Sequence, residues 1–159
     1  MAKTSKLGVN GKAKGAGFEL LIAKTFSEAL GVKLRRTPMS GGWSHGNVET
    51  AGDLVCVDKN ITFPYCIECK CCEGWRMEAL FTDKHAWFDN WWEQTMRECP
   101  AEKIPILVFS RARQPVFAAT RPQDDYQNNV GWPVLETGVN GMRVFVFLLE
   151  DLLHSLPTV

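Results

Sequence analysis

Between Gly17 and Gly31 apolar residues recur at helical spacing: Phe18, Leu21, Ile22, Phe26, Ala29 and Leu30. The pattern predicts a helix packed on that stripe, with Gly31 placed to end it. "VKLRRT" alternates and predicts a short strand, and "PMSGGWSHGN" predicts a loop. "DLVCV" and "TFPYCIECK" read as two strands around the polar turn Asp58-Lys59-Asn60, for which an antiparallel hairpin is the simplest connection. Pro64 has no N–H for a ladder and implies a sheet edge or a bulge. Residues 77–98 predict one or two helices. Their stripe Trp87, Phe88, Trp91 and Trp92 suits a core or a dimer interface. "IPILVFS" has the near-continuous apolar run of a buried central strand, with "PVFAAT" as its neighbour. Residues 121–141 are polar and rich in Gly, Pro and Asn and predict a loop. "MRVFVFLLEDLLHSL" predicts a last strand and a closing helix. The order of elements predicts an α/β single domain over residues 1–159, a central mixed sheet flanked by helices.

Composition changes this picture little. The 159 residues are 45% hydrophobic and 23% charged, as in an ordinary globular domain. No apolar run approaches the roughly 18 residues of a membrane span. The lysines near the N-terminus are not followed by the apolar block of a secretory signal. A cytoplasmic location is expected. Net charge is zero, yet residues 1–40 hold eight basic side chains against Glu19 and Glu28, a local +6 balanced by −6 elsewhere. The start of the chain, about residues 1–14, is expected to be a basic flexible arm, either solvated or laid along a polyanion.

Cys66, Cys69 and Cys72 make two overlapping C-x-x-C spacings, which can mark zinc or redox chemistry. Side chains of a strand alternate faces, however, so Cys66 and Cys72 point one way and Cys69 and Cys71 the other. Downstream there is only Cys99. Structural cysteines are the expectation.

Three charges stand in the two apolar strands: Asp53, Glu68 and Lys70. A hairpin pivoting between Asn60 and Ile61 sets Asp53 opposite Glu68, with Cβ atoms about 4.5–5.5 Å apart. Two ionised carboxylates that close require a shared proton or a cation between them. All-oxygen donors suit a hard ion such as Mg²⁺, completed by water and phosphate oxygens. Lys70 shares the face of Glu68. A cation beside such a pair is equipment for phosphodiester hydrolysis. The Cys69 carbonyl, off the strand edge, is a further candidate ligand. Glu19 falls about 100° from Phe18, between Phe26 and Leu30 on the flank of the buried stripe, an unusual place for a glutamate with no partner. On spacing alone, a partly exposed salt-bridge cluster of these charges explains them almost as well.

Gly52-Asp53 and Ile67-Glu68-Cys69-Lys70 resemble the motif of the PD-(D/E)xK nuclease superfamily, with Gly52 where that motif has Pro. Over about the first seventy residues the chain resembles archaeal-type Holliday junction resolvases: a basic Lys14-Gly15 segment, a helix with Glu19, Arg35 and Arg36 on a strand, a loop with Ser40-Gly41-Gly42, then the D…ExK pair. Short phage junction-resolving endonucleases share these motifs, in which case the location is the host cytoplasm. The resemblance implies a restriction-endonuclease-like core and a Mg²⁺-dependent endonuclease that Mn²⁺ also serves. Asp53, Glu68 and the Cys69 carbonyl would hold metal, Lys70 would be catalytic, and Glu19 would support the metal or its water. Lys12, Lys14, Arg35, Arg36 and Ser40 would meet DNA. It also implies a homodimer acting on a branched DNA partner, the four-way junction. Two other readings stay open: a PD-(D/E)xK nuclease acting on flaps, mismatches or linear duplex, and a DNA-binding module of the same fold that does not cut.

Overall fold

A computed structural model describes residues 7–38, 50–82, 84–122, 135–157 and 159. In chain order it holds α1 (Leu7–Leu30), β1 (Leu34–Arg36), β2 (Leu54–Cys56), β3 (Tyr65–Cys71), a 3-10 helix (Met77–Phe81), α2 (Ala86–Glu98), β4 (Ile104–Ser110), β5 (Phe117–Thr120), β6 (Leu135–Val139), β7 (Met142–Leu148) and α3 (Leu149–Ser155). Five strands form one mixed sheet in the order β3-β4-β5-β7-β6, with β3 parallel to β4 and the other pairs antiparallel. β1 and β2 form a separate antiparallel pair. This is the mixed sheet flanked by helices that the sequence predicts, and it has the form of a restriction-endonuclease-like PD-(D/E)xK core.

The period-two alternation of the strands builds two cores. Ile67, Ile106, Val108, Ala118 and Phe147 pack with α1 and α3 on one face. Leu107, Phe109, Phe117, Val144 and Val146 pack with α2 on the other. Because β4 is covered on both faces, its run is apolar at nearly every position. The 3-10 helix and α2 carry the chain from β3 back to the start of parallel β4, as such a crossover requires.

Helix α1 buries Phe18, Ile22, Phe26 and Leu30, whereas Leu21 and Ala29, expected on the same stripe, face solvent. Gly31 ends the helix at φ 71°, its N–H donating to the Ser27 carbonyl. At its other end the helix begins at Leu7 and includes most of the stretch read as a basic arm. There Lys14 pairs with Glu73, which also accepts from the Ala112 N–H, so the first turns are moored to the loop after β3.

Of three expectations, two need correction and one, left open between two uses, takes the first of them. The segment 121–141 is not all loop: β6 pairs with β7 through Asn140-Gly141, both at positive φ, the geometry of a tight two-residue hairpin. Residues 123–134 of that segment lie outside the described ones. The Trp stripe packs against the core, one of the two uses expected of it: Phe88 and Trp92 are fully buried, and half-buried Trp87 and Trp91 pack on Trp75 and Phe109. The third concerns β2 and β3. Asp58-Lys59-Asn60 does turn, with the Ile61 N–H donating to the Asp58 carbonyl, but no ladder joins β2 to β3 among the described residues. β2 pairs with β1 instead, and beyond Asp53 the two strands diverge.

Candidate active site at the outer edge of strand β3

Without that ladder, β3 is an edge strand whose outward backbone groups need other partners. The segment Gly52-Asp53 supplies them. The Asp53 N–H donates to the Ile67 carbonyl at 2.8 Å, and Asp53 Oδ2 accepts from the Cys69 N–H at 2.8 Å. These two bonds bracket Glu68, so Asp53 sits beside Glu68 as the predicted register has it, although one residue rather than a strand makes the junction.

Gly52 makes this approach feasible. It lies at φ +82°, and a Cβ built on it would stand 2.6 Å from the Ile67 carbonyl oxygen and 3.0 Å from its nitrogen. Any side chain would push Asp53 off the edge of β3, which gives a reason for glycine at the position before Asp53.

Glu68 and Lys70 share the α2 face of β3. The Lys70 ammonium donates to Glu68 Oε1 at 2.8 Å and to Gln94 Oε1 at 2.9 Å. Gln94, from α2, turns its amide to Glu68 Oε1 and Glu98 Oε1, both at 3.2 Å. It clamps the acid and the base of the E-x-K triplet in one network. Sequence reasoning passed over Gln94; its one signal is a helical position facing β3 amid the aromatic stripe. Cys69 places its backbone N–H, and therefore its carbonyl, on the outer edge beside Asp53, because a strand residue's N–H and C=O point to the same side. Its side chain is buried toward α1, and burial pushes the thiol well up, so sulfur stays protonated there and only the carbonyl is offered. Glu19 reaches toward the edge from α1 and pairs with Arg36 of β1. Arg35, the neighbouring residue, points to solvent. Ser40 and the side chain of Lys12 lie outside the described residues.

Asp53 and Glu68 are 8% and 5% exposed. Burial first, then the Glu68 carboxylate, pushes Asp53 up to about 7, with Glu19 adding to the rise, against the opposing Cys69 N–H and Lys70. Burial likewise raises Glu68, more than its ion pair with Lys70 lowers it, and Glu98 and Glu19 raise it further. The edge thus gathers more negative charge than its own cations offset, which a divalent cation would relieve. The donors present, two carboxylates and an edge carbonyl, are hard oxygens and fit Mg²⁺ or a similar ion. Among the described residues no group of three His, Cys, Asp or Glu side chains is arranged to hold a metal, so such an ion would draw its other ligands from water or substrate. All six cysteines are free thiols.

A mixed sheet with acid, acid and lysine gathered at the outer edge of β3 is the arrangement of a nuclease of the PD-(D/E)xK type. The chain belongs to the family described as "Phage putative PDDEXK endonuclease", which it matches over residues 10–158. No curated protein and no solved structure matches it significantly. None of the helices among the described residues is long and apolar enough to cross a membrane.

Proposed function

We propose that this nuclease is a Mg²⁺-dependent endonuclease that resolves four-way DNA junctions, working as a two-fold homodimer. The observation that carries the catalytic part is the convergence of buried Asp53 and Glu68 with half-buried Lys70 at an edge that no strand covers among the described residues. Asp53 and Glu68 hold the cation, with the Cys69 carbonyl beside them. When bound, Mg²⁺ or Mn²⁺ neutralises charge on the phosphate and acidifies the attacking water. Lys70 contacts the scissile phosphate, where a fixed ammonium stabilises charge that grows as the P–O bond breaks. Gln94 keeps Lys70 and Glu68 aligned in the free protein. Glu19 supports the site from behind and is itself held by Arg36.

Junction selectivity rests on the resemblance of the first seventy residues to junction resolvases and on symmetry: a four-way junction needs two matched cuts, and a two-fold dimer supplies two sites. The basic residues near the chain start, with Arg35 and Arg36, meet the backbone of the DNA arms. The test is incubation with a labelled four-way junction and with linear duplex of the same arms, with and without Mg²⁺. The proposal expects paired, Mg²⁺-dependent cuts near the branch point of the junction and little cutting of the duplex. Equal cutting of both would leave a nuclease without junction selectivity; no cutting of either would remove the enzymatic reading.

A further inference from the structure

Where β2 and β3 part company beyond Asp53 they leave a cleft of about 760 Å³, in the size range of ligand sites. Its floor is apolar and includes Val55, Ile61 and Phe63; its rim carries Arg35, Lys59 and Lys103. Asp58 is the one acidic lining residue, and its Oδ2 already accepts from the Lys33 N–H.

The rim cations differ from those of the active site in one respect. Arg36 and Lys70 are each paired with a glutamate. Arg35, Lys59 and Lys103 make no ion pair among the described residues and converge on one cleft. Arg35 stands directly opposite Val55 in the β1–β2 register, so a cation of the rim and an apolar residue of the floor are neighbours across the ladder. Val55 lies two residues from Asp53, roughly 7 Å along an extended chain. The cleft therefore opens roughly 7 Å from the candidate scissile position.

We infer that this cleft binds an unpaired single strand of the DNA substrate flanking the cut. Its phosphates meet Arg35, Lys59 and Lys103, and its sugar and base faces lie on the apolar floor. A strand in duplex satisfies the rim but keeps its base faces stacked and hidden; an unpaired strand satisfies both. The inference rests on the nuclease reading and adds a substrate feature, which a four-way junction supplies where base pairs open at its branch point; it is separable from that reading because binding can be measured without cleavage.

The test is binding of a short labelled oligodeoxythymidine, and of a duplex of equal length, to the full chain in EDTA across a salt series. The parent is compared with Lys59→Ser/Lys103→Ser and with a charge-matched control, Lys24→Ser/Lys84→Ser, whose side chains are exposed away from the cleft. Circular dichroism checks that each variant is folded. The cleft variant is expected to bind oligodeoxythymidine about tenfold more weakly, with a salt slope lower by about 1.4, the value for two lost single-strand phosphate contacts at 0.7 each. Duplex binding and the control variant should move much less. Unchanged oligonucleotide binding, an equal loss on duplex, or an equal loss in the control would each overturn the inference. Loss of cleavage activity in some other experiment would bear on the nuclease reading and leave this result standing.

Discussion

Strands β3 and β4 are both seven residues long, parallel and paired along their whole length, with Glu68 beside Leu107 on the same face. β4 lies between two strands, so its backbone is satisfied on both sides, and it carries no charge. β3 has a partner on one side only. Its outer side is closed at a single residue, Asp53, and there the chain buries two carboxylates within reach of one lysine. Burying such groups opposes folding unless partners or a cation offset it. That the sequence tolerates them at the edge and nowhere along β4 separates two uses of one strand form: β4 holds the domain together, and β3 is where chemistry is exposed to a substrate.

Substitutions at neighbouring positions should therefore fail in different ways. Lys70→Ala is expected to lower cleavage by about a thousandfold or more while the protein stays folded. Leu107→Ala, one strand over, is expected to lose about 2–5 kcal/mol of stability through the cavity it leaves, yet to retain cleavage per folded molecule. Denaturant melts alongside single-turnover cleavage separate the two. If Lys70→Ala destabilised as Leu107→Ala does, the edge would be core like its neighbour.

The buried carboxylates also set a pH dependence. Asp53 is held up to about 7 when folded and titrates near its ordinary 3.8 when unfolded. Its contribution to stability is thus complete below pH 4 and is lost as pH rises through about 7, by at most about 4 kcal/mol. Without metal, Asp53→Asn should melt above the parent at pH 8, and the difference should vanish toward pH 4. Melting curves in EDTA from pH 4 to 8 check this; a difference that does not change with pH would mean Asp53 is not held protonated by its surroundings.

Gly52→Ala comes next. Its new methyl meets the Ile67 backbone at 2.6 Å in a left-handed conformation, so the strain and clash should cost about 2–4 kcal/mol and displace Asp53. Cleavage should fall further than the loss of folded protein explains. Gln94→Ala is the mildest change: the fold has little stake in it, but Lys70 and Glu68 lose a shared partner. An activity loss of about tenfold is expected, by analogy with residues that orient a metal site's ligands, with Gln94→Glu no better because it adds charge beside Glu68.

Much of the arrangement was legible in the chain. Apolar runs marked β3, β4, β5 and β7, helical spacing marked α2 and the core of α1, and the D…ExK spacing marked Asp53, Glu68 and Lys70. What was hidden has physical causes. Gly11, Gly15 and Gly17 have low helix propensity, and the helix persists through them with Lys14 moored to Glu73. β6 has little apolar periodicity, yet Asn140-Gly141 was a hairpin signal in plain view. The turn at residues 58–60 suggested a ladder, but β2's partner proved to be β1, a choice made by packing around α1 that local pattern does not encode. Gln94 looks like any helix-surface glutamine until α2 is set against β3.

Asp53 carries the central claim, that the edge carboxylates perform the chemistry. Cleavage of a labelled four-way junction in Mg²⁺ by the parent and by folded Asp53→Asn, with junction affinity measured in parallel, tests it most directly. Folded Asp53→Asn is expected to bind the junction about as well as the parent, or more tightly without metal, and not to cut it. Cutting at the parental rate by folded Asp53→Asn would contradict the account and leave the edge carboxylates a structural feature.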